Sequence, residues 1–248
     1  MTDTPNTSMP TPEANADNLV RLAVFDLDGT CLDGSSTVRL VLDLLKKRNL
    51  GFGTGLIIGF WGLAYKLKLP QNESWVRTKL FHAFEGQPKE EADAFMGEYF
   101  DRVVEKIWRP QIQPEIDAHH DAGRTVMIVS ASFEPIVLRA CERHNVDYQI
   151  STRMKVGANG CYTNAVDGLP IEGEQKLIAL RSFSDGRFGA GNWVCEFAYA
   201  DHYSDIKLLE FAQNPYAVCP DTALRKHAED NGWTILDWDI DTKKKGSE

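Results

Sequence analysis

Two aspartates separated by one residue stand out in the hexapeptide Phe25-Asp26-Leu27-Asp28-Gly29-Thr30. They follow an apolar run at residues 22–24 that is typical of a buried strand, and alternate residues of an extended chain point to one face. Two carboxylates held together repel each other unless a cation lies between them or one takes a proton. Gly29 permits an immediate turn, and Thr30 adds a hydroxyl. An Asp-Gly turn with solvated acids is the structural alternative, but the hexapeptide favours a chemical site at the end of a strand.

Three further polar groups follow or begin predicted elements. Ser130 comes directly after a predicted strand, and Lys176 lies near the start of a predicted helix. Asp201 and Asp205 follow another predicted strand, and a spacing of four residues places them on one face of a helical turn. Each group also has a structural explanation, as a helix cap for Ser130 or Asp201 and as a surface lysine for Lys176.

Together these groups suit phosphoryl transfer. The four carboxylates are hard oxygen ligands of the kind that Mg²⁺ prefers. One hydroxyl and one ammonium remain to hold an anion. An aspartate can attack phosphorus and form an aspartyl phosphate, and a second aspartate two residues on can protonate the leaving oxygen and later activate water.

The remaining chain alternates predicted strands and helices around an all-helical block. This alternation predicts a parallel sheet covered by helices on both faces, built from residues 20–33 and 109–240. The helical block at residues 34–108 is predicted to form a separate insert. Residues 1–19 are expected to be a disordered lead-in and residues 241–248 a flexible tail.

Several predicted elements position the candidate residues. A strand over residues 125–129 is expected to end immediately before Ser130, and a helix over residues 201–211 is expected to carry Asp201 and Asp205. Residues 153–169 are expected to form a β-hairpin. Ser35 or Ser36 is predicted to cap a helix whose apolar face comprises Val38, Val41, Leu42 and Leu45.

Composition limits the classes of partner and compartment. The 248 residues are 43% hydrophobic and 25% charged, as in ordinary globular proteins, and their net charge of −9 argues against a nucleic-acid partner. The five cysteines are scattered without a CxxC motif, which is typical of reduced thiols in a cytosol. The first nineteen residues lack the apolar segment of a secretory signal. We therefore expect a cytoplasmic protein, and the sequence does not indicate its oligomeric state.

The uncharged run at residues 50–65 has two interpretations. At sixteen residues it is shorter than the ~20 that cross a bilayer. The simpler interpretation is a buried helix pair within a helical lid. The alternative is a surface that contacts a lipid tail or the inner face of a membrane, with Lys66 and Lys68 near the headgroups.

The order of these motifs resembles the four motifs of the haloacid dehalogenase superfamily of phosphatases: the segment 26–30, Ser130 after a strand, Lys176, and the segment 201–205. The helical insert after the first motif is similar to the C1 cap of the phosphoserine-phosphatase-like branch, subfamily IB. The resemblance covers roughly residues 20–238. It implies an α/β fold with a Rossmann-like core, an inserted cap, and Mg²⁺-dependent phosphomonoester hydrolysis through an aspartyl phosphate.

The resemblance also implies a role for each acid of the motifs. Asp26 would be the nucleophile and a Mg²⁺ ligand. Asp28 would be the general acid and base, with its backbone carbonyl on the metal. Asp201 would bind the metal, and Asp205 would support the metal shell.

Four further residues receive roles by the same resemblance. Ser130 and Lys176 would hold the transferring phosphoryl group, and Lys176 would temper the charge on Asp26. Gly29 and Ser132 would border the phosphate and the substrate.

The sequence departs from phosphoserine phosphatases in its substrate residues. Ser35 stands where those enzymes place a glutamate for the substrate ammonium, and Arg77 is only a candidate for their carboxylate-binding arginine. We therefore expect a small phosphorylated metabolite other than phosphoserine as the substrate. The apolar run at residues 50–65 also resembles the caps of phosphatidylglycerophosphate-phosphatase-like members, so a lipid phosphate is the alternative. A phosphotransferase, in which an alcohol replaces the attacking water, remains open.

Overall fold

The computed structural model describes residues 19–46 and 81–238. The apolar run at residues 50–65, Arg77, the tail and all but the last residue of the lead-in lie outside the described residues. The interpretations given to them above stay predictions.

Most strands of the described chain belong to one parallel sheet. The strands are β1 (Val20–Phe25), β2 (Thr125–Phe133), β3 (Tyr148–Thr152), β4 (Met154–Val156), β5 (Tyr162–Val166), β6 (Trp193–Ala200), β7 (Asn214–Val218) and β8 (Thr234–Leu236). β4 and β5 form the predicted antiparallel hairpin, and the other six pair in the order β3-β2-β1-β6-β7-β8. The chain builds outward from β1 to β3 and then returns through β6 to the other side. The strand order therefore reverses beside β1, where open α/β sheets bind ligands.

Helices cover both faces of this sheet. The longer ones are α1 (Ser36–Lys46), α2 (Lys89–Tyr99), α3 (Ile112–Asp121), α4 (Glu134–His144), α5 (Glu174–Phe188), α6 (Ile206–Phe211) and α7 (Thr222–Asn231). Short helical turns occur at Phe100–Val104, Glu105–Ile107 and Tyr203–Asp205, whereas Leu27–Cys31 forms a tight turn with non-helical backbone at Asp28 and Gly29. In residues 19–46 and 81–238, no helix combines the length and the apolar character needed to cross a bilayer.

The central strand β1 is buried on both faces. Ala23 and Phe25 pack in one hydrophobic cluster with apolar residues of α1, α2, α3 and α4. Leu22 and Val24 point the other way and pack with residues of α5, α6 and α7. This double burial explains why residues 22–25 of β1 are all apolar, and it confirms the predicted α/β class with a Rossmann-like core.

β2 is longer than predicted and continues from Thr125 to Phe133. Its pairing with β3 extends through Ser130, which lies opposite Ser151, and after a register shift reaches Phe133. Ser130 and Ser132 therefore lie within the strand, which was expected to end immediately before Ser130.

The helix predicted to begin at Asp201 begins only at Ile206. His202 has an extended backbone, with φ −117° and ψ 142°, and its side chain accepts a hydrogen bond from the Ser204 amide. This local capping starts a single tight turn at Tyr203, so Asp201 and Asp205 do not share a regular helix.

The first helix of the insert begins as predicted but buries a different face. Ser35 Oγ accepts a hydrogen bond from the Val38 amide at 3.3 Å, which caps α1. Its buried apolar side chains include Leu40, Val41 and Leu44, whereas Leu42 is 47% exposed. The sequence contains two overlapping apolar faces, and only the position of the neighbouring core selects between them.

The two ends of the insert meet beside the first motif. The Asp33 amide donates to the Ile107 carbonyl at 2.7 Å, and the Arg109 amide donates to the Cys31 carbonyl at 2.8 Å. At its far side the insert pairs with the β4–β5 hairpin, where the Gly86 amide donates to the Tyr162 carbonyl at 2.8 Å. The boundaries of the core and the cap stay a prediction.

Candidate active site

The candidate residues converge at the carboxyl ends of three neighbouring strands. Asp26 follows β1, Ser130 and Ser132 lie in the last part of β2, and Asp201 follows β6. Because these parallel strands are adjacent in the sheet, their ends lie at one edge. The fold thus brings together residues that lie as far apart in the chain as Asp26 and Asp205.

The turn after β1 has the shape that the sequence pattern predicts. Asp26 and Asp28 are both extended, with ψ angles of 159° and 126°, and the intervening Leu27 is fully buried. Gly29 then adopts φ +81°, and a Cβ atom there would lie 2.0 Å from Asp201 Oδ2. Only glycine fits this position, because both the backbone angle and the neighbouring carboxylate exclude a side chain.

Lys176 is a buried cation between two carboxylates. Its Nζ donates to Asp26 Oδ1 at 2.7 Å and to Asp205 Oδ2 at 2.6 Å. The side chain is only 5% exposed, so the surface-lysine explanation is wrong. Burial alone would lower the pKa of Lys176, but the Asp205 and Asp26 carboxylates outweigh it and raise that pKa. The ammonium therefore stays charged.

The acids around Lys176 exceed the positive charge that it supplies. Burial raises the pKa of Asp26 to about 7, with Lys176 opposing this shift and Asp205 adding to it. Burial and the Asp26 and Asp205 carboxylates likewise raise the pKa of Asp201 well above its usual range. Thr30 Oγ1 donates to Asp201 at 3.3 Å, but Asp205 Oδ1 is buried and has no hydrogen-bond partner among the described residues. Such a carboxylate cluster favours an additional cation.

Asp28 is held by serines from two elements. The Ser36 amide donates to Asp28 Oδ1 at 2.7 Å, and the hydroxyls of Ser132 and Ser36 lie 2.7 Å and 3.1 Å from Oδ2. Burial raises the pKa of Asp28, and these hydrogen bonds act in the opposite direction. The sequence indicated Ser36 only as a helix cap, because nothing local shows that a helix start folds back onto Asp28.

Ser130 is buried and does not cap a helix. Its Oγ accepts a hydrogen bond from the Ser132 amide at 3.1 Å, so its hydroxyl hydrogen remains available to another acceptor. Phe133, not Ser130, occupies the position before α4, and no side chain caps that helix. The capping explanation for Ser130 is therefore wrong.

Arg109 is a site residue that the sequence did not reveal. It is 5% exposed, its guanidinium donates to the Gly29 carbonyl at 3.3 Å, and it lies 3.5 Å from Asp33. It thereby braces the turn that carries Asp28. In the sequence, Arg109 lies just after the insert and next to Trp108. That position indicates where the insert ends, but it does not predict a contact with the turn after β1.

The geometry agrees with a match to a known family model. Residues 23–210 match the model of haloacid dehalogenase-like hydrolases. The chain belongs to this family. The predicted superfamily is thus confirmed, and the matched range includes every candidate residue named above.

Relatives of this hydrolase carry phosphatase names. It is 28% identical over 248 aligned positions to a phosphoserine phosphatase of Mycobacterium tuberculosis, covering 95% of this chain and 79% of that protein. It is 27% identical to a histidinol-phosphatase of Neisseria meningitidis, covering 88% of this chain and 98% of that protein. The predicted enzyme class, a phosphatase, agrees with both.

Solved structures share the fold of this hydrolase. A protein of unknown function from Bordetella pertussis superposes with a TM-score of 0.77 at 23% identity, covering 89% of this chain and 99% of that one. A substrate-bound phosphoserine phosphatase superposes with a TM-score of 0.60 at 20% identity, covering 88% and 92%. These likenesses confirm the predicted fold.

Proposed function

We propose that this hydrolase cleaves phosphomonoesters with the help of Mg²⁺, through an aspartyl phosphate on Asp26. The contact of Asp26 with the buried Lys176 ammonium is the observation that carries the proposal. Lys176 occupies Oδ1 of the carboxylate, and in the described part of the chain no donor is bonded to Oδ2. Oδ2 can therefore approach phosphorus while Lys176 offsets the negative charge that both partners bring.

Asp28 would supply and recover the proton. In the first step, Asp26 bonds to phosphorus, the ester P–O bond breaks, and the Asp28 proton goes to the leaving oxygen. In the second step, Asp28 accepts a proton from water as the water oxygen attacks phosphorus, and the Asp26–phosphorus bond breaks to release phosphate. The Ser130 hydroxyl and the Lys176 ammonium would hold the phosphoryl oxygens, and Gly29 and Ser132 would border the substrate.

The donor set fits Mg²⁺. In the part of the chain that the structure describes, no group of three or more His, Cys, Asp or Glu side chains is arranged to hold a metal ion by itself. Mg²⁺ does not require one, because it keeps several waters and is usually held through one or two carboxylates. The unpartnered Asp205 Oδ1, the half-buried Asp201 and the raised pKa of both Asp26 and Asp201 suit a hard cation. Asp26, Asp201 and the Asp28 carbonyl would hold it, Asp205 would support the metal shell, and the cation would neutralise charge on the phosphoryl group.

The proposed substrate is a small phosphorylated metabolite. The relatives named for phosphoserine and histidinol phosphate support this class. Ser35, which stands in place of the glutamate expected for phosphoserine, is buried and caps α1. It is neutral and offers no carboxylate to a substrate ammonium. The described residues provide no specific observation in favour of a lipid phosphate or of a phosphotransferase.

Phosphate release across a panel of esters tests this function. The panel comprises phosphoserine, histidinol phosphate, p-nitrophenyl phosphate and short-chain phosphatidylglycerophosphate, each with Mg²⁺ and with EDTA. We expect release from a small ester that EDTA abolishes, that Mg²⁺ restores, and that Asp26→Asn eliminates while the circular dichroism spectrum is unchanged. Turnover that survives thorough chelation would remove the metal from the proposal, and turnover by the variant would remove the nucleophile.

A further inference from the structure

The carboxyl group of Asp28 is fixed from two sides. Oδ1 accepts the Ser36 amide at 2.7 Å, and Oδ2 lies 2.7 Å from Ser132 Oγ and 3.1 Å from Ser36 Oγ. The two hydroxyl oxygens are themselves 2.8 Å apart. Ser36 is fully buried and Ser132 is 2% exposed, so these contacts are shielded from competing water.

The two serines come from different parts of the fold. Ser132 lies near the end of β2 in the core, and Ser36 is the first residue of α1 in the insert. Amides in the first turn of a helix have no acceptor within the helix, so Asp28 supplies one from eight residues earlier. Tyr99 fixes Ser36 from its other side, because its hydroxyl donates to the Ser36 carbonyl at 2.7 Å.

We propose that Ser36 and Ser132 are positioning residues that hold Asp28 in the orientation for proton transfer to the leaving group. This inference rests on the proposed function. Proton transfer requires the acid to lie within hydrogen-bond reach of the ester oxygen, and a misplaced acid loses most of its effect. Asp28 must act in both protonation states, and serine hydroxyls suit this need because each can donate or accept a hydrogen bond.

This arrangement links the acid to the insert. One of the two hydroxyls and the backbone amide belong to α1, so the orientation of Asp28 depends on where the start of α1 lies. The nucleophile has no such dependence, because Asp26 contacts Lys176 of the core helix α5. A disturbance at Ser36 should therefore impair protonation of the leaving group and spare the attack by Asp26.

A leaving-group comparison tests the inference. The value of kcat/KM is measured with phenyl phosphate and p-nitrophenyl phosphate for the wild type, Ser36→Ala, Ser132→Ala and the exposed control Ser182→Ala. These esters are alike in size, but p-nitrophenolate leaves readily without a proton and phenolate does not. Both kcat/KM values are measured on the same preparation of a variant. Partial unfolding lowers both values by the same factor and therefore does not change their ratio.

We expect Ser36→Ala and Ser132→Ala to lower kcat/KM for phenyl phosphate at least about tenfold more than for p-nitrophenyl phosphate, since general acids contribute roughly 10²–10⁴-fold. Ser36→Thr, which retains the hydroxyl, should return the ratio toward that of the wild type, and Ser182→Ala should not change it. Equal losses with both esters would overturn the positioning role while leaving the proposed function intact. A wild type that hydrolyses neither these two esters nor any other ester of the panel above would overturn both.

Discussion

At the scale of single residues, the electrostatics of the site depend on Lys176. This residue contributes one positive charge to a cluster that contains Asp26, Asp201 and Asp205. Its two short contacts with buried carboxylates make it part of the fold as well as of the proposed chemistry.

Replacing Lys176 with methionine removes the charge and keeps the length of the side chain. Because Asp26 and Asp205 would be left buried without their partner, we expect the free energy of unfolding to fall by about 3–5 kcal/mol. Urea denaturation measures this loss, and phosphate release should fall with it. Lys226→Met is the control, because Lys226 is exposed and its ion pair with Asp230, one helical turn away, lies at the surface. If Lys176→Met were as stable as the control, the buried pairing would not support the fold.

His119 predicts a pH dependence of stability outside the site. It is 4% exposed, and its Nε2 hydrogen-bonds the Tyr199 hydroxyl at 2.9 Å, whereas its Nδ1 is buried and meets no hydrogen-bond partner within residues 19–46 and 81–238. Burial lowers the pKa of His119 from 6.5 to about 4. The unfolded chain therefore takes up a proton more readily than the folded chain between these pH values, and stability is lost as the pH falls through this window.

The expected loss from His119 is about 3 kcal/mol between pH 6.5 and pH 4. Urea unfolding at a series of pH values measures it, and the difference between the wild type and His119→Gln isolates it from the titrating carboxylates. His82→Gln serves as a control, since that side chain is half exposed. A wild type and a His119→Gln variant with parallel pH profiles would show that His119 is not buried in its neutral form.

At the scale of elements, two constraints require glycine at position 29 in the turn after β1: a positive φ angle and the closeness of Asp201. A comparison of Gly29 with Gly160 separates their effects. Gly29 and Gly160 both have positive φ angles, +81° and +76°. A Cβ at Gly29 would meet Asp201 at 2.0 Å, whereas at Gly160 it would meet nothing within 4 Å. Alanine at either position should lower the free energy of unfolding by roughly 1–2 kcal/mol, because a residue with a Cβ atom is strained at a positive φ angle. Only Gly29→Ala should also displace Asp201.

We therefore expect Gly29→Ala to lose phosphatase activity and Gly160→Ala to retain it at a similar cost in stability. Thermal unfolding and phosphate release, measured side by side, compare the two variants. Comparable activity in both would mean that Asp201 tolerates displacement, which contradicts its proposed place in the metal site.

Local patterns in the sequence predicted the elements better than their ends. The β1 strand, the β4–β5 hairpin and the start of the α1 helix follow from periodicity, turn residues and a capping serine within short windows. The extension of β2 past Ser130 does not, because it depends on pairing with β3. The delayed start of α6 depends on a cap that His202 provides, and Asp201 was placed on a helical face for lack of that information.

At the scale of the whole molecule, motif order predicted which side chains lie together, but it did not predict all of their neighbours. Asp26, Asp28, Ser130, Lys176 and Asp201 converge as expected, because a parallel sheet gathers strand ends at one edge. The contribution of Ser36 and Arg109 could not be predicted, since each reaches the site through contacts between distant segments. The insert contributes helices to the same hydrophobic cluster as the core, which residue spacing cannot reveal.

The most direct measurement for the whole enzyme is the mass of the protein quenched in acid within milliseconds of mixing with p-nitrophenyl phosphate and Mg²⁺. We predict a transient species heavier by one phosphoryl group, located on Asp26 by peptide mapping, released by hydroxylamine and absent from Asp26→Asn. If substrate is turned over with no such species at any quench time, and Asp26→Asn also turns over, the covalent mechanism at Asp26 is contradicted.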